Sequence, residues 1–246
     1  MISENSISVI VPARNEEKSI EITIKTIYEA VKARFNQYEI LIFDDGSTDR
    51  TAEIVDQLAV AHDYIRVFHH QKPICIGGIY KKGIKLARMN YLMRINGKHD
   101  ITVENLDKIF SLSGTRDLVI PYMTNIRERS LFRICVSKAF TGLLNFIFGL
   151  KLKYYNHYVL CKCSALNAIK IQTNSYAFQA EILIKLIKSG CSYIEVPVED
   201  KFDKHARTWA FKFNNIVGVT MFLLRLIYEV YAKKDINEKS YAKTTK

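Results

Sequence analysis

Two adjacent carboxylates, Asp44 and Asp45, follow a largely apolar run at residues 38–43 and precede a glycine. The run has the length and composition of a β-strand that is buried on both faces. In an open α/β sheet, ligands bind at the carboxyl ends of the parallel strands. The pattern therefore predicts that these carboxylates accept hydrogen bonds from a ribose or a base. The alternative is an Asp-Gly turn in which Ser47 or Thr48 caps the next helix.

A second polar loop follows the first predicted strand, at residues 7–11. Pro12, Ala13 and Glu16 lie in this loop, and a helical pattern then continues to about Arg34. Because the carboxyl ends of parallel strands meet at one edge of a sheet, we expect the two loops to lie side by side. This arrangement favours a ligand site over an isolated turn.

The two segments VIVPARNEE (residues 9–17) and FDDGSTD (residues 43–49) together resemble the opening of family 2 glycosyltransferases. These are nucleotide-sugar-dependent enzymes with the GT-A fold. The resemblance implies that the first loop and the first aspartate of the pair hold the nucleoside of the donor. By position, the implied donor-binding residues are Pro12, Ala13, Glu16, Asp44 and Asp45.

The chain has 246 residues, of which 48% are hydrophobic, so it can bury one large core. Further strands are predicted at residues 65–68, 91–95 and 117–121, with a helix at 77–89. Together with the resemblance, this alternation of strands and helices predicts an α/β fold. The expected form is a GT-A type, doubly wound, mostly parallel sheet that is flanked by helices and followed by amphipathic C-terminal helices.

We expect residues 1–232 to form this single domain and residues 233–246 to be a disordered polar tail. The N-terminus lacks a basic region followed by an apolar stretch, so no signal peptide is expected. Five cysteines, an odd number without metal-ligand spacing, indicate reduced thiols and a cytoplasmic location. Of these, Cys161 and Cys163 are expected to alternate across a strand.

Residues 77–88 resemble the glycine-rich helix start that follows the third strand in the family. The resemblance implies a donor-binding role for Gly77, because a helix N-terminus at this place favours anionic groups. Close packing is the alternative role for this glycine.

The fourth strand leads into RINGKHDI, residues 94–101, where the chain departs from the family. Most relatives carry an Asp-x-Asp motif here that holds Mg²⁺ or Mn²⁺ against the donor diphosphate, and Asn96, Gly97 and Lys98 occupy its three positions. An amide and an ammonium are poor ligands for such cations. Lys98 is therefore a candidate for stabilising the leaving diphosphate directly. The alternatives are a metal held in a shifted register by Asp100 with His99, or a domain that binds without catalysing.

Further along, the resemblance narrows toward enzymes that transfer a sugar to polyprenyl or dolichyl phosphate. These relatives carry arginines, a serine and an asparagine after the fifth strand. The residues at similar positions, which the resemblance implies for the acceptor phosphate, are Arg127, Arg129, Arg133, Ser137 and Asn145. If they lie on a helix, Arg129 and Arg133 share one face and can hold one phosphate together. Solvated surface arginines are the alternative.

Residues 176–199 also match this group, and Glu181 is expected to point into the site from the first turn of a helix. Together with Lys98 and Asp100, it is a candidate catalytic residue.

Two later motifs are incomplete. The family's Ser-Gly-Phe/Tyr-Arg turn appears at residues 156–159, with Val159 in place of the arginine. A degenerate basic motif supplies Lys204 and Arg207 as further acceptor-phosphate contacts.

The formal net charge of +11 predicts affinity for phosphates or anionic lipid. Basic residues flank two apolar regions, 132–152 and 211–231, which are more hydrophobic than one core-facing helical stripe requires. The longest clean apolar run, residues 216–224, is too short to span a bilayer, so we expect helices in the membrane interface. Core helices or a homo-oligomer seam are the alternative. No nucleic-acid-binding motif accompanies the charge, so no nucleic acid partner is expected.

Three functions fit these features. The favoured one is an inverting transfer of a sugar from a UDP- or GDP-sugar to a polyprenyl phosphate at the cytosolic membrane face. A lipid phosphate is already anionic and needs cationic clamps and in-line placement more than a base. The second function has a saccharide hydroxyl as the acceptor, which requires a carboxylate to take its proton. The third is a catalytically silent protein that binds nucleotide-sugars.

Overall fold

A computed structural model describes residues 5–174, 177–199 and 221–232, which form a seven-stranded sheet covered by helices on both faces. The strands are β1 (Ser6–Ala13), β2 (Gln37–Asp44), β3 (Ile65–His69), β4 (Tyr91–Arg94), β5 (Leu118–Met123), β6 (Leu160–Lys162) and β7 (Tyr193–Val198). The helices are α1 (Ile20–Arg34), α2 (Thr51–Ala61), α3 (Ile76–Leu86), α4 (Val103–Phe110), α5 (Leu131–Phe148), α6 (Cys163–Asn167) and α7 (Phe178–Lys188). Residues 221–227 are helical and continue into a π-helical turn, Tyr228–Ala232; together they are called helix 221–232 below.

The strand order is β3-β2-β1-β4-β6-β5-β7. The first four strands of the chain run parallel, so their carboxyl ends share one edge of the sheet, and β5 and β7 are also parallel to each other. The expectation of a mostly parallel sheet is confirmed. Strand β6 lies between β4 and β5 and runs antiparallel to both, so β5 keeps the direction of β4. Helix α5 and the loop after it return the chain to the edge at which β5 ended.

The central strands are buried on both faces, as the apolar run before Asp44 predicted. In β2, Ile40 and Ile42 pack into one core, whereas Leu41 and Phe43 pack into the other. The first core contains residues of α1 and α4, and the second contains residues of α3, α5 and α7. This double cover is what a parallel strand with a continuous apolar sequence requires. It holds the edge loops on a rigid base.

Several predicted element ends differ from the structure. The helix expected at residues 77–89 ends at Leu86, because the backbone then leaves the axis and the Arg88 N–H donates to Glu39. The strand β6 ends at Lys162 and Cys163 begins a helix, so these two cysteines do not alternate across a strand. Neither Ser47 nor Thr48 caps the next helix, since α2 begins at Thr51 after an Arg50 N-cap.

Gly77 lies in the first turn of α3, where the segment after α6 crosses the helix. A Cβ atom on Gly77 would come within 2.8 Å of backbone atoms of Asn174. We therefore expect Gly77→Ala to lower the free energy of unfolding by about 1–3 kcal/mol, as overpacking does, in urea unfolding experiments. Gly78→Ala is the matched control, because its Cβ would meet only the Ile74 side chain at 3.6 Å. Equal losses in the two variants would contradict this account.

Candidate functional site

The loops after β1 and β2 are fastened to each other by hydrogen bonds. The Asn15 N–H donates to Ser47 Oγ at 3.0 Å, and Asn15 Oδ1 accepts from the Thr48 N–H at 2.8 Å. The Glu16 N–H donates to Thr51 Oγ1 at 2.8 Å. Asn15 adopts a left-handed conformation with φ of 56°, which asparagine tolerates better than most residues do. The two loops predicted to lie side by side therefore form one rim.

Asp44 ends β2 directly opposite Ala13, the last residue of β1. Its Oδ1 accepts the Ser47 N–H at 3.0 Å, and its Oδ2 lies 3.0 Å from Nδ1 of His69. Burial alone raises the pKa of Asp44, but the hydrogen bonds from Ser47 and His69 outweigh burial and lower the pKa below its ordinary value. Each carboxylate oxygen has two lone pairs, so the ionised Asp44 can accept a further hydrogen bond from a ligand.

Asp45 is held from both sides. Its N–H donates to the Ala13 carbonyl at 2.9 Å, and its Oδ1 accepts the Ile74 N–H at 2.9 Å. The Nδ1 atom of His70 lies 3.2 Å from the same Oδ1, while Lys82 Nζ lies 3.0 Å from Nε2 of His70. An ammonium can only donate, so His70 accepts at Nε2 and donates from Nδ1 to Asp45.

His69 and His70 were not among the predicted site residues. They stand at the carboxyl end of β3, where the rule that singled out Asp44 and Asp45 applies equally. In addition to Asp44, His69 contacts Asp56 through Nε2 at 3.0 Å. The hydrogen bond with Asp44, followed by that with Asp56, raises the pKa of His69 above its ordinary 6.5.

The raised pKa of His69 predicts a pH-dependent contribution to stability. A group whose pKa rises on folding stabilises fully below its unfolded pKa and loses this contribution as the pH rises through the folded pKa. We therefore expect wild type to be more stable than His69→Gln below pH 6.5 and to lose this advantage at higher pH. Urea unfolding at several pH values between about 5.5 and 8.5, a range that brackets the ordinary histidine pKa, measures the difference in the free energy of unfolding between the two proteins. A difference that does not vary with pH, or an imidazole pKa at or below 6.5 by NMR, would contradict the assignment.

The loop after β4 meets the rim formed by the first two loops. The Gly97 N–H donates to the Pro12 carbonyl at 3.0 Å, and the Gly97 carbonyl accepts from Thr23 Oγ1 at 2.9 Å. Lys98 Nζ lies 3.0 Å from Asp100 Oδ2, and the Lys98 side chain is 53% exposed. The structure thus brings together Pro12, Ala13, Glu16, Asp44, Asp45, Asn96, Gly97, Lys98 and Asp100 at one edge of the sheet.

Glu16 belongs electrostatically to this cluster. Burial raises the pKa of Glu16, and the hydrogen bond from Ser19 and the charge of Lys98 act in the opposite direction. The Ser19 hydroxyl donates to Glu16 Oε2 at 2.8 Å. Glu16 therefore stands within electrostatic range of Lys98 and Asp100, as its predicted place in the donor site requires.

The residues at the end of β4 do not fit a divalent cation. The amide oxygen of Asn96 accepts a hydrogen bond from Arg94, and Lys98 is itself a cation. Asp100 is shared between Lys98 and the hydroxyl of Tyr158, which donates to its other oxygen. Among the described residues, no group of three His, Cys, Asp or Glu side chains is arranged to hold a metal. Hard cations need anionic oxygen ligands, so we assign no step to a metal.

Gly77 does not present a free helix N-terminus. Its N–H donates to the Asn174 carbonyl at 3.2 Å, so this donor is already occupied. The close approach of Asn174 corresponds to the packing alternative for this glycine.

The predicted acceptor residues occupy different settings. Helix α5 begins at Leu131 with Ser130 as its N-cap, so Arg129 precedes the helix in an extended conformation. The prediction that Arg129 and Arg133 share a helix face is therefore wrong. Arg129 Nη1 donates to the Tyr154 hydroxyl at 3.4 Å. Arg133 and Ser137 are half-buried residues of α5.

Four further predicted residues have other outcomes. Arg127 lies in a short 3₁₀ turn, Ile126–Glu128. Lys204 and Arg207 lie outside the described residues. Asn145, near the end of α5, bonds the backbone of Leu152 and accepts from the Tyr155 hydroxyl, so it fastens the following loop.

Glu181 does not point into an open site. Its side chain is 1% exposed and accepts the N–H groups of Gln172 and Thr173, each at 2.9 Å. Lys185 Nζ lies 2.7 Å from Glu181 and 2.7 Å from Glu229 of helix 221–232. The prediction of a catalytic Glu181 is corrected to a structural one, because its carboxylate is used to join three segments.

Comparisons with known proteins agree with this arrangement. Residues 8–116 match the model of the family described as Glycosyl transferase family 2. Glycosyltransferase AglD of Haloferax volcanii is 23% identical over 95% of this chain and 39% of its own length. Polyprenol monophosphomannose synthase of Mycolicibacterium smegmatis is 26% identical over 77% of this chain and 75% of its own length. Dolichyl-phosphate beta-glucosyltransferase of Saccharomyces cerevisiae is 23% identical over 78% of this chain and 66% of its own length.

Solved structures show the same fold. Glucosyl-3-phosphoglycerate synthase from Mycobacterium tuberculosis, in complex with uridine-diphosphate, superposes with a TM-score of 0.66 and 17% identity, covering 92% of this chain and 80% of that chain. A complex of that synthase with Mn²⁺, uridine-diphosphate and phosphoglyceric acid gives a TM-score of 0.64 at 16% identity. The likeness confirms the predicted GT-A fold.

Proposed function

Because residues 8–116 match the model of glycosyl transferase family 2, we propose that this chain is an inverting glycosyltransferase. Its donor is a nucleotide-sugar, and its acceptor is a polyprenyl phosphate at a membrane surface. The observation that carries the proposal is the rim of loops that gathers Glu16, Asp44, Lys98 and Asp100 at the carboxyl edge of β1, β2 and β4. Two relatives are named for transfer to polyprenol or dolichyl phosphate, which supports the choice of acceptor.

The donor site has two parts with opposite charge. Asp44, ionised and held by Ser47 and His69, is an acceptor for the N–H or hydroxyl groups of a nucleoside. Lys98 lies at the end of the neighbouring loop and carries the positive charge that a diphosphate needs. A nucleoside diphosphate would thus lie with its base over β1 and β2 and its phosphates toward β4.

The reaction itself is a single displacement. The acceptor phosphate oxygen attacks the anomeric carbon, its bond to the nucleoside diphosphate breaks, and the configuration at that carbon inverts. Lys98 stabilises the negative charge that develops on the leaving diphosphate. Because a lipid phosphate is already ionised, no side chain has to take a proton from it. Arg129, which precedes α5, and Arg133, in the first turn of α5, are proposed to hold this phosphate.

The membrane surface is proposed from the exposed apolar side chains of α5 and helix 221–232. Leu143 and Phe146 of α5 are 45% and 88% exposed, and Leu224 of helix 221–232 is 61% exposed. By length and composition α5 could cross a membrane. However, Leu144 and Phe148 on the same helix are buried in the second core. We therefore place α5 in the interface, with its outward side toward the acyl chains.

Helix 221–232 is attached to α5 and extends this apolar surface. The Tyr231 hydroxyl donates to the Ile147 carbonyl at 2.6 Å, and the rings of Tyr231 and Phe148 stack at 6.2 Å. Met221, Tyr228 and Tyr231 are each more than half exposed. Aromatic side chains with a polar end suit the boundary between headgroups and acyl chains.

We expect exposed apolar residues of α5 to control binding to vesicles. In co-sedimentation with vesicles of anionic lipid, the double variant Leu143→Ser, Phe146→Ser should lower the partition coefficient by about tenfold or more, because two large side chains no longer leave water. Val60→Ser is the control, since Val60 is 90% exposed on α2, away from α5. Equal binding by both variants and wild type would contradict a membrane role for α5.

The proposed function is tested by sugar transfer into an organic phase. Purified protein is incubated with undecaprenyl phosphate and radiolabelled UDP- or GDP-sugars, and the product is extracted into solvent. Label that appears in the organic phase with wild type, and is lost with Asp44→Asn, supports the proposal. Label that moves only to a saccharide identifies a hydroxyl acceptor. Binding of nucleotide-sugars without transfer to either acceptor identifies a silent binding protein, and a retained anomeric configuration overturns the displacement mechanism.

A further inference from the structure

Arg94, the last residue of β4, is a buried cation without a carboxylate partner in the described part of the chain. Only 7% of the residue is exposed. Among the described residues, its one hydrogen bond goes from Nη1 to the amide oxygen of Asn96, and its Nε atom has no hydrogen-bond partner there. Burying a charge in this way is costly unless an anion compensates it. In the ranges that the structure describes, no carboxylate pairs directly with this guanidinium, and the nearby Asp100 is paired with Lys98.

Two aromatic rings hold the guanidinium in place. It lies 5.0 Å from the ring centre of Tyr158 and 5.6 Å from that of Phe178. The Tyr158 hydroxyl donates to Asp100, which in turn pairs with Lys98 at 3.0 Å. Arg94 and Lys98 are thus linked through Tyr158 and Asp100, so the two cations belong to one arrangement at the end of β4.

The sheet register shows where this arginine stands. Strands β4 and β6 pair antiparallel, with Tyr91 opposite Lys162 and Leu92 opposite Cys161. Arg94 lies two residues beyond Leu92, so both side chains point to the same face of the sheet. Leu92 packs into the second core, which also contains Phe178. The Arg94 guanidinium therefore lies on the face that Phe178 covers.

We propose that Arg94 is a positioning residue that makes the end of β4 a permanent cationic site for the donor diphosphate and closes it to divalent metals. Arg94 donates to the side-chain oxygen of Asn96, the residue at the first position of the Asp-x-Asp motif, so this oxygen is not free to bind a metal. Arg94 also adds its charge to that of Lys98. The proposal rests on the nucleotide-sugar donor of the proposed function. Its ligand is the diphosphate group, and its consequence is binding that requires no metal.

The first experiment measures metal binding and needs no nucleotide. Free Mn²⁺ is followed by EPR during titration of wild type, of N96D/K98D, and of the same double variant with Arg94→Leu or Arg94→Lys. We expect no stoichiometric binding by wild type. The variant with Arg94→Leu should bind at least about tenfold more tightly than those with arginine or lysine at this position, because a nearby cation opposes Mn²⁺. Tight binding by wild type, or equal affinities across the series, overturns the proposal.

The second experiment separates the diphosphate from the nucleoside. UDP, GDP and the two nucleosides are titrated in EDTA against wild type, Arg94→Leu and Arg94→Lys. We expect Arg94→Leu to weaken binding of the matching diphosphate by about 10- to 100-fold, the usual effect of losing an interaction with a charged group, and to leave nucleoside affinity within about twofold. Arg94→Lys should recover part of the loss.

The second experiment distinguishes a failure of this proposal from a failure of the proposed function. If the nucleoside and the diphosphate weaken together, Arg94 only supports the fold and the proposal is overturned. If wild type binds neither diphosphate, the proposed function fails, and the Mn²⁺ series alone decides whether Arg94 excludes metal. Should Arg94→Leu fail to fold, Arg94→Gln gives the same comparisons, because it also removes the charge but keeps a donor for the Asn96 oxygen.

Discussion

Replacing Lys98 by alanine should lower the turnover number by about 100-fold or more, the loss that follows removal of one group that stabilises transition-state charge. Lys98 is an exposed ammonium in the loop after β4, held 3.0 Å from Asp100, where we propose that it meets the donor diphosphate. Turnover by wild type should be unchanged by EDTA, because the described residues at this place do not fit a divalent cation. Initial rates of transfer to undecaprenyl phosphate measure both effects.

Lys18→Ala is the control for this variant. Lys18 is an exposed lysine in the loop after β1, so its loss removes the same charge from the same edge of the protein. We expect its turnover to stay within about twofold of wild type, because exposed charges interact weakly through water. A strict requirement for Mn²⁺ in wild type, or equal rates for Lys98→Ala and Lys18→Ala, would show that Lys98 does not replace the metal.

Lys185→Met should lower the free energy of unfolding by about 3–5 kcal/mol, the cost of breaking a buried ion pair and leaving its partner unpaired. Lys185 Nζ contacts Glu181 and Glu229, each at 2.7 Å, and donates to the Lys170 carbonyl at 2.8 Å. These contacts join α7, helix 221–232 and the segment before α7. Urea unfolding followed by circular dichroism measures the loss.

The loss should depend on the carboxylates that Lys185 neutralises. Adding Glu229→Gln to Lys185→Met should restore part of the stability, because one unpaired charge is then removed. Lys188→Met, one turn later on α7 and only partly buried, should change the free energy of unfolding by no more than about 0.5 kcal/mol. If Lys188→Met and Lys185→Met destabilise equally, the three-segment network does not explain the effect.

The predictions that succeeded were those that depend on near neighbours in the chain. The run before Asp44 alternates between two cores, so burial on both faces could be read from its apolar residues alone. The same logic placed Asp44 and Asp45 at the carboxyl edge, and the structure confirms both. The same rule applies to His69 at the end of β3, which was not among the predicted site residues.

The predictions that failed depended on contacts between distant segments. Glu181 had the residue type and the helical position of a site carboxylate, yet its carboxylate is already bound by Lys185 and two backbone N–H groups. Arg129 and Arg133 had helical spacing, but the Ser130 cap begins the helix between them. No local pattern could reveal that Arg94 stacks on Tyr158 and Phe178.

The sequence was enough to predict the strands, their burial and the edge of the sheet at which the acidic loops gather. These features depend on the hydrophobic pattern of short segments, which can be read from neighbouring residues. Only the tertiary structure decided which charged side chains remain available to bind a ligand. Ion pairing depends on distances in space and on the water removed around each group, so Asp44 and Glu181, alike in chemistry, differ in their partners. The same physics left Arg94 buried beside an amide instead of a carboxylate.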